Sequence, residues 1–318
     1  MKKTKIGFIG GTIAAAVLAL SLAGCNQGTG GSGSVVPDQP KVSYRDSIFV
    51  QGRGQVYQPV LTNNGQSVYE RTDPVSETVA DFYMGQYEIT DEWWKEVYDW
   101  ATDAARGSRQ YSFTVGNSLS NGMSYGDAVV WCNALSEYKG REPVYMEKDT
   151  IVVARTAVNV SKDTSRDGIM ISTNNIQVSK AADGFRLPSL AEWQFAARGG
   201  NPSASTIWNY QFAGSDNISE VAWFIGNANS RGTLVAGGKK SNTLGFYDLC
   251  GSQREFVFRV ALKAEAVSFP RTPSAAAEFV AGSVLDDSDA CKILCGETVA
   301  ATQVVQSASF RIVSNTKF

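Results

Sequence analysis

The chain has 318 residues, of which 43% are hydrophobic and 19% charged, and its formal net charge is -2. This length and apolar content suit one large domain or two small ones, and the near-neutral balance offers no basic field for nucleic acid. Histidine is absent, which removes imidazole as base, nucleophile or metal ligand, and with it Ser-His-Asp, Cys-His and His-metal chemistry.

The N-terminus reads as a targeting segment. Lys2, Lys3 and Lys5 precede an apolar stretch from Ile6 to Ala23 that ends in Leu22-Ala23-Gly24-Cys25. Small residues before a cysteine resemble the lipobox of bacterial lipoproteins, where a peptidase must reach the bond ahead of the thiol that takes the lipid. Residues 1–24 are thus expected to be a lipoprotein signal peptide. Cys25 is the expected lipidation site, and acyl chains rather than a spanning helix would hold the mature chain on the cell envelope, at its outer surface. Residues 25–42, rich in Gly and Ser and closed by Pro37 and Pro40, read as a flexible tether. Residues 43–318 remain for a single folded domain.

Three helices are predicted. The first runs from Thr90 to about Arg106, with Thr90 as N-cap, Asp91 and Glu92 in the first turn, and Trp93, Val97, Trp100 and Ala104 on one face. The second runs from Ser124 to Tyr138; Ser124 and Asp127 have capping-box spacing, and Ala128, Cys132 and Leu135 share a face, which makes Cys132 a core residue. The third, Ser189 to Arg198, carries the box Ser189/Glu192 and stops at Gly199-Gly200. Short β-rich runs are predicted at Thr150–Ser161, Gly168–Thr173 and Ser309–Val313. A few amphipathic helices among short strands indicate an α+β fold, and no internal repeat is visible.

Several segments, in order, resemble the formylglycine-generating-enzyme and sulfatase-modifying-factor family: "FYMGQYEIT" (82–90), "MSYGDAVVWCNALSEYKGREPVY" (123–145), "GFRLPSLAEWQFAARGG" (184–200), "NTLGFYDLCGSQREF" (242–256), "AGSV" (281–284) and "SFRIV" (309–313). The resemblance implies a C-type lectin fold of the formylglycine-generating type, with a few helices around short, irregular antiparallel strands. Within the strongest segment, Phe185 and Leu187 face inward from a strand, Pro188 ends it, Ser189 caps the helix and Trp193 anchors the core.

The family's oxidases hold copper with two cysteines. Aligned on Gly282 and Ser283, those positions are Asp286 and Cys291 here, and one thiolate does not make a two-sulfur site for a soft metal. The resemblance therefore implies a binding protein rather than an enzyme, with no cofactor. A copper- or thiol-dependent oxidase using Cys291 and Cys295 is the competing reading. The four cysteines after Cys25 (Cys132, Cys250, Cys291 and Cys295) are too sparse for a disulfide-stapled scaffold. Calcium stays open at Asp286, Asp287 and Asp289, or at Cys250, Gly251, Gln253 and Glu255, where the family sometimes uses carbonyls and a glutamate.

The segment 282–313 also resembles the variable region of diversity-generating-retroelement proteins that share this fold. Gly282, Ser283, Cys291, Phe310 and Arg311 match the fixed framework, while Val284, Gly296 and Val304 depart from it. The resemblance implies a ligand-binding face made of Leu285, Asp286, Asp287, Asp289, Ala290, Leu294, Cys295, Glu297, Thr298, Val299, Ala300, Gln303, Val305, Gln306 and Ser307. Val304 adds to its apolar part. The implied partner is a variable extracellular macromolecule, a protein above all, bound by a monomer. The bland alternative is that the valines form a buried strand.

Overall fold

The computed structural model describes residues 43–60, 62–63, 66–67, 76–147, 150–161, 176–179, 181–228, 235–258 and 276–318. The signal segment, Cys25, the tether and the strand predicted at Gly168–Thr173 lie outside the described residues.

In chain order the elements are β1 (Ser47–Val50), β2 (Gln55–Tyr57), β3 (Thr62–Asn63), β4 (Gln66–Ser67), β5 (Glu77–Val79), β6 (Phe82–Gly85), α1 (Asp91–Ala101), α2 (Tyr125–Tyr138), β7 (Tyr145–Glu147), β8 (Ile176–Val178), α3 (Leu190–Ala197), α4 (Ile218–Val221), α5 (Ile225–Ala228), β9 (Arg254–Val257), β10 (Ala276–Val280), β11 (Gly296–Ala300), β12 (Ala308–Ser309) and β13 (Val313–Ser314). One sheet has the order β1-β6-β13 and another β11-β10-β9-β12; the pairs β2-β5, β3-β4 and β7-β8 are two-stranded. All pairings are antiparallel except β12 on β9. This is the expected α+β arrangement of a few helices among short strands.

Helix α1 starts as its sequence dictates, with the Trp93 amide donating to Thr90 Oγ1 at 3.3 Å. Its buried face differs from the predicted one. Trp93, Trp94, Val97 and Ala101 are buried, whereas Trp100 is half-buried beneath the Arg106 guanidinium, 3.6 Å from the ring centroid. Ala104 is exposed, because the helix closes at Thr102 and a separate 3-10 stretch, Ala104–Arg109, begins under an Asp103 cap. Trp94 stacks on Trp131 with centroids 6.0 Å apart and planes 7° from parallel. Burying an indole contributes roughly 4–6 kcal/mol of gross transfer free energy, and of the two equal rings Trp94 and Trp100 it is Trp94, with Trp131 to stack on, that takes the buried place.

Helix α2 runs through the core and is buried on all sides from Tyr125 to Ser136, Cys132 included. Its capping box forms as expected: the Ser124 amide donates to Asp127 Oδ2 at 2.9 Å and the Asp127 amide to Ser124 Oγ at 3.1 Å. The run Thr150–Ser161, expected as a strand, is not one. It makes single bridges, Met146 with Val153 and Ser112 with Thr156, and ends in a 3-10 turn, Ala157–Ser161. The run has no single partner strand. Val152 and Ala154 bond to Glu147 and Tyr145 of β7, Arg155 and Ala157 bond to Ser112, and the Ala154 carbonyl accepts the Asn133 side-chain amide of α2 at 2.9 Å, so its backbone is satisfied piecemeal instead of along a ladder.

Helix α3 carries the second capping box, Ser189 with Glu192. Arg186 grips the same carboxylate through two bonds of 2.6 and 2.7 Å. Phe185, Leu187 and Trp193 are buried as predicted. The expected closing strand Ser309–Val313 divides into β12 and β13, which belong to different sheets. Phe310 to Ile312 cross between them, fully buried.

Candidate ligand-binding face

The C-terminal crossing is pinned by a buried ion pair. Glu255 in β9 and Arg311 are 1% and 0% exposed. Arg311 Nε donates to Glu255 Oε2 at 2.7 Å and Nη2 to Oε1 at 2.6 Å. The remaining guanidinium hydrogens go to the carbonyls of Gly85, Gln86 and Tyr247, and Trp193 Nε1 donates to Glu255 Oε2 at 2.9 Å. Glu88 and Asp248 complete this neighbourhood. Burial, and then the negative charges of Glu255 and Asp248, push the Glu88 carboxyl well above its usual range. Burial raises Asp248 in the same direction against the opposing pull of the Gly237 amide and Arg311.

From this anchor the chain 282–307 runs out and back with a consistent division of labour. Gly282 has φ +61°, and a side chain there would run into Cys291 Sγ and the Ala290 backbone, so only glycine fits. Ser283 is buried and its hydroxyl donates to Asp286 Oδ2 at 2.7 Å. Asp286 is half-buried, ion-paired with Arg254, and its carbonyl accepts the Ile225 amide at 3.0 Å. It fixes the loop and is not a free contact. Cys291 and Ile293 point into the core, and the Leu294 carbonyl accepts the Thr62 amide at 2.7 Å.

Leu285 (53% exposed), Asp287, Asp289, Glu297, Gln303, Val304 (43%) and Gln306 face outward. Ala290, Leu294, Val299 and Ser307 are half-buried, and Thr298 and Ala300 lie in β11. Besides Asp286, two residues expected among the contacts are buried in the fold. Cys295 and Val305 are each 6% exposed. The Cys295 carbonyl accepts the Ala281 amide where the chain turns into the β10–β11 hairpin, and Val305 exchanges backbone bonds of 2.9 and 3.1 Å with Met123. The buried-strand alternative thus holds for part of the segment: Val299 in β11 packs against the core. Val304 takes the outward place that Val305 does not. Ile225, 47% exposed and bonded to the Asp286 carbonyl, extends the apolar part beyond the segment. Two adjacent valines carry no signal of which one faces out; only the pairing with Met123 decides it.

The thiols are poorly placed for chemistry. Cys132, Cys250, Cys291 and Cys295 are buried and unbridged. Burial holds the Cys250 thiol at about 12. Cys291 is raised further by burial, then by Cys250, Asp286 and Asp287. A nucleophile or soft-metal ligand needs the thiolate. At the positions considered for calcium, both Glu255 oxygens already accept hydrogen bonds and Asp286 is ion-paired. Among the described residues, no three His, Cys, Asp or Glu side chains are grouped as a metal would require.

The family model of the sulfatase-modifying factor enzyme 1-like domain matches residues 33–316. The chain belongs to that family. Solved structures with the sulfatase-modifying-factor fold seen here include CarF, at TM-score 0.62 and 22% identity over 86% of this chain and 98% of that one. Treponema denticola variable protein 1 follows at 0.57 and 20%, covering 85% and 95%. PvdO from Pseudomonas aeruginosa gives 0.51 and 14%, covering 86% and 95%. At these identities the likeness is one of fold. A curated relative, the chaperone protein LppX of Paenibacillus barcinonensis, is 30% identical over 216 residues, which is 62% of this chain and 66% of that protein's length, just short of two thirds. The sulfatase-modifying-factor family is named for an enzyme, while these relatives include a variable protein and a chaperone, so membership alone assigns no activity.

Proposed function

We propose that this chain is a lipid-anchored, non-enzymatic binding protein. It would present its C-terminal face, diversified by a retroelement, to a macromolecular ligand, most plainly a protein. One observation carries the reading. The residues that match a fixed framework (Gly282, Ser283, Cys291, Phe310 and Arg311) are all buried, while the residues between them supply the exposed side chains. A rigid scaffold with replaceable outward groups is what a selectable binding surface needs, and Leu285, Val304 and Ile225 give it apolar contacts among acids and amides. The raised thiols support binding over oxidase chemistry. The likeness to a variable protein and to a chaperone supports the binding class, and the Leu22-Ala23-Gly24-Cys25 end supports envelope anchoring through Cys25.

Sequencing the 3′ end of the gene across related isolates tests the diversification. Substitutions are expected at Leu285, Asp287, Asp289, Glu297, Gln303, Val304 and Gln306, with none at the five framework positions and a near-copy of the segment nearby. Changes spread evenly over both classes, with no near-copy, would refute it. Cys25→Ser is expected to move the full chain from the membrane to the soluble fraction; unchanged membrane retention would count against the anchor.

A further inference from the structure

We propose that the hollow between β2 and the end of α3 is a second binding site, separate from the C-terminal face, for a small aromatic carboxylate. The hollow has a volume of 260 Å³ and is walled by Tyr57, Phe195 and Trp208, with Arg198 at its side and Val56 and Val60 at its rim. At about 30 Å³ per water this is the space of roughly nine waters, enough for a single-ring acid and too small for most larger ligands.

The walls are preformed. The three rings meet edge to face, with centroids 5.8 Å apart for Tyr57–Trp208, 6.2 Å for Phe195–Trp208 and 6.3 Å for Tyr57–Phe195. One buried amide holds the strand side in place. Gln194 Oε1 accepts the Tyr57 hydroxyl at 3.0 Å and the Val60 amide at 3.1 Å, and its Nε2 donates to the Val60 carbonyl. Phe195 is fully buried and Tyr57 is largely covered, so the half-buried Trp208 is the main ring a guest would meet, and it favours an aromatic guest.

The polar feature is Arg198. Its backbone is fully explained, since the amide donates to the Gln194 carbonyl and the carbonyl accepts the Ser205 hydroxyl. Its guanidinium is not. It lies over Trp208, 5.2 Å from the ring centroid, and its Nε is buried with no hydrogen-bond partner. No carboxylate among the described residues pairs with it, and no lining residue is acidic. The buried Nε lies out of reach of a guest, so the terminal nitrogens of the half-buried guanidinium, which pair with no carboxylate among the described residues, are the groups a carboxylate in this acid-free hollow would meet.

Calorimetric titration of the full-length chain with phenylacetate, its neutral counterpart 2-phenylethanol and inorganic phosphate tests this. Phenylacetate is expected to bind about tenfold or more tightly than either other compound. Arg198→Gln should abolish the preference for acid over alcohol, Arg198→Lys should retain part of it, and Trp208→Leu should weaken both aromatic compounds alike. Equal binding of acid and alcohol by the unaltered chain, phosphate binding as strong as phenylacetate, no binding up to about 10 mM, or a preference that survives Arg198→Gln would each overturn the assignment. The comparison of compounds on the unaltered chain decides the matter even if a variant fails to fold.

Discussion

Replacing Arg311 with methionine tests the anchor on which the C-terminal face depends. The substitution keeps length and apolar bulk but removes both bonds to Glu255 and the three to backbone carbonyls. Glu255 then keeps Trp193 Nε1 as its remaining side-chain donor, while 1% exposed and close to the acids Glu88 and Asp248. Leaving one member of a buried pair uncompensated costs about 3–5 kcal/mol, a large share of the 5–15 kcal/mol typical of a folded domain. With a urea slope of about 3 kcal/mol per molar, the unfolding midpoint should fall by about 1–2 M. Adding Glu255→Gln to Arg311→Met removes the stranded charge and should recover a measurable part of the loss. Equilibrium urea unfolding followed by tryptophan fluorescence gives both numbers. A loss below about 1 kcal/mol for Arg311→Met, or a double variant no more stable than the single one, would refute the reasoning.

Glu88 and Asp248 hold protons more tightly folded than unfolded, so they oppose stability at neutral pH. Their penalty is absent below the ordinary carboxylate range and grows as pH rises through the raised folded values. Glu88→Gln and Asp248→Asn should therefore raise the unfolding midpoint at pH 8, with the advantage vanishing near pH 4; an advantage that is constant with pH would contradict this. With its thiol held up by burial, neither Cys250 nor Cys291 should react appreciably with iodoacetamide at pH 8 until denaturant is added, as read by peptide mass spectrometry; rapid native labelling of Cys291 would revive the oxidase reading. Gly122 has φ +84° and sits against the Val305 carbonyl, so Gly122→Ala should cost more than about 1 kcal/mol and speed amide exchange around Val305. Leu285→Asp and Val304→Asp, by contrast, should change stability by no more than about 0.5 kcal/mol; a larger loss would show that these side chains serve the core.

Much of the architecture was legible locally. Ser124 with Asp127 and Ser189 with Glu192 set two helix starts, because a capping box satisfies orphan amides using residues three apart. Alternation placed Phe185 and Leu187 inside, and the ordered motifs from Phe82 to Val313 pointed to the fold. Where local pattern competed with distant partners it lost: Trp94 displaced Trp100 from the core face by stacking on Trp131, and the run 150–161 divided its backbone bonds among β7, Ser112 and Asn133 instead of forming a strand.

For the face, the sequence by itself separated an expected framework from the residues between it only through the resemblance carried by Gly282, Ser283, Cys291, Phe310 and Arg311. Only the tertiary structure decided which of the intervening side chains reach water. Val304 and Val305 are chemically identical, and Cys295 is one apolar residue among several. The burial of Val305 accompanies pairing with Met123 and that of Cys295 a bridge to Thr62, contacts between segments far apart in the chain, and no local pattern encodes a register set at that distance.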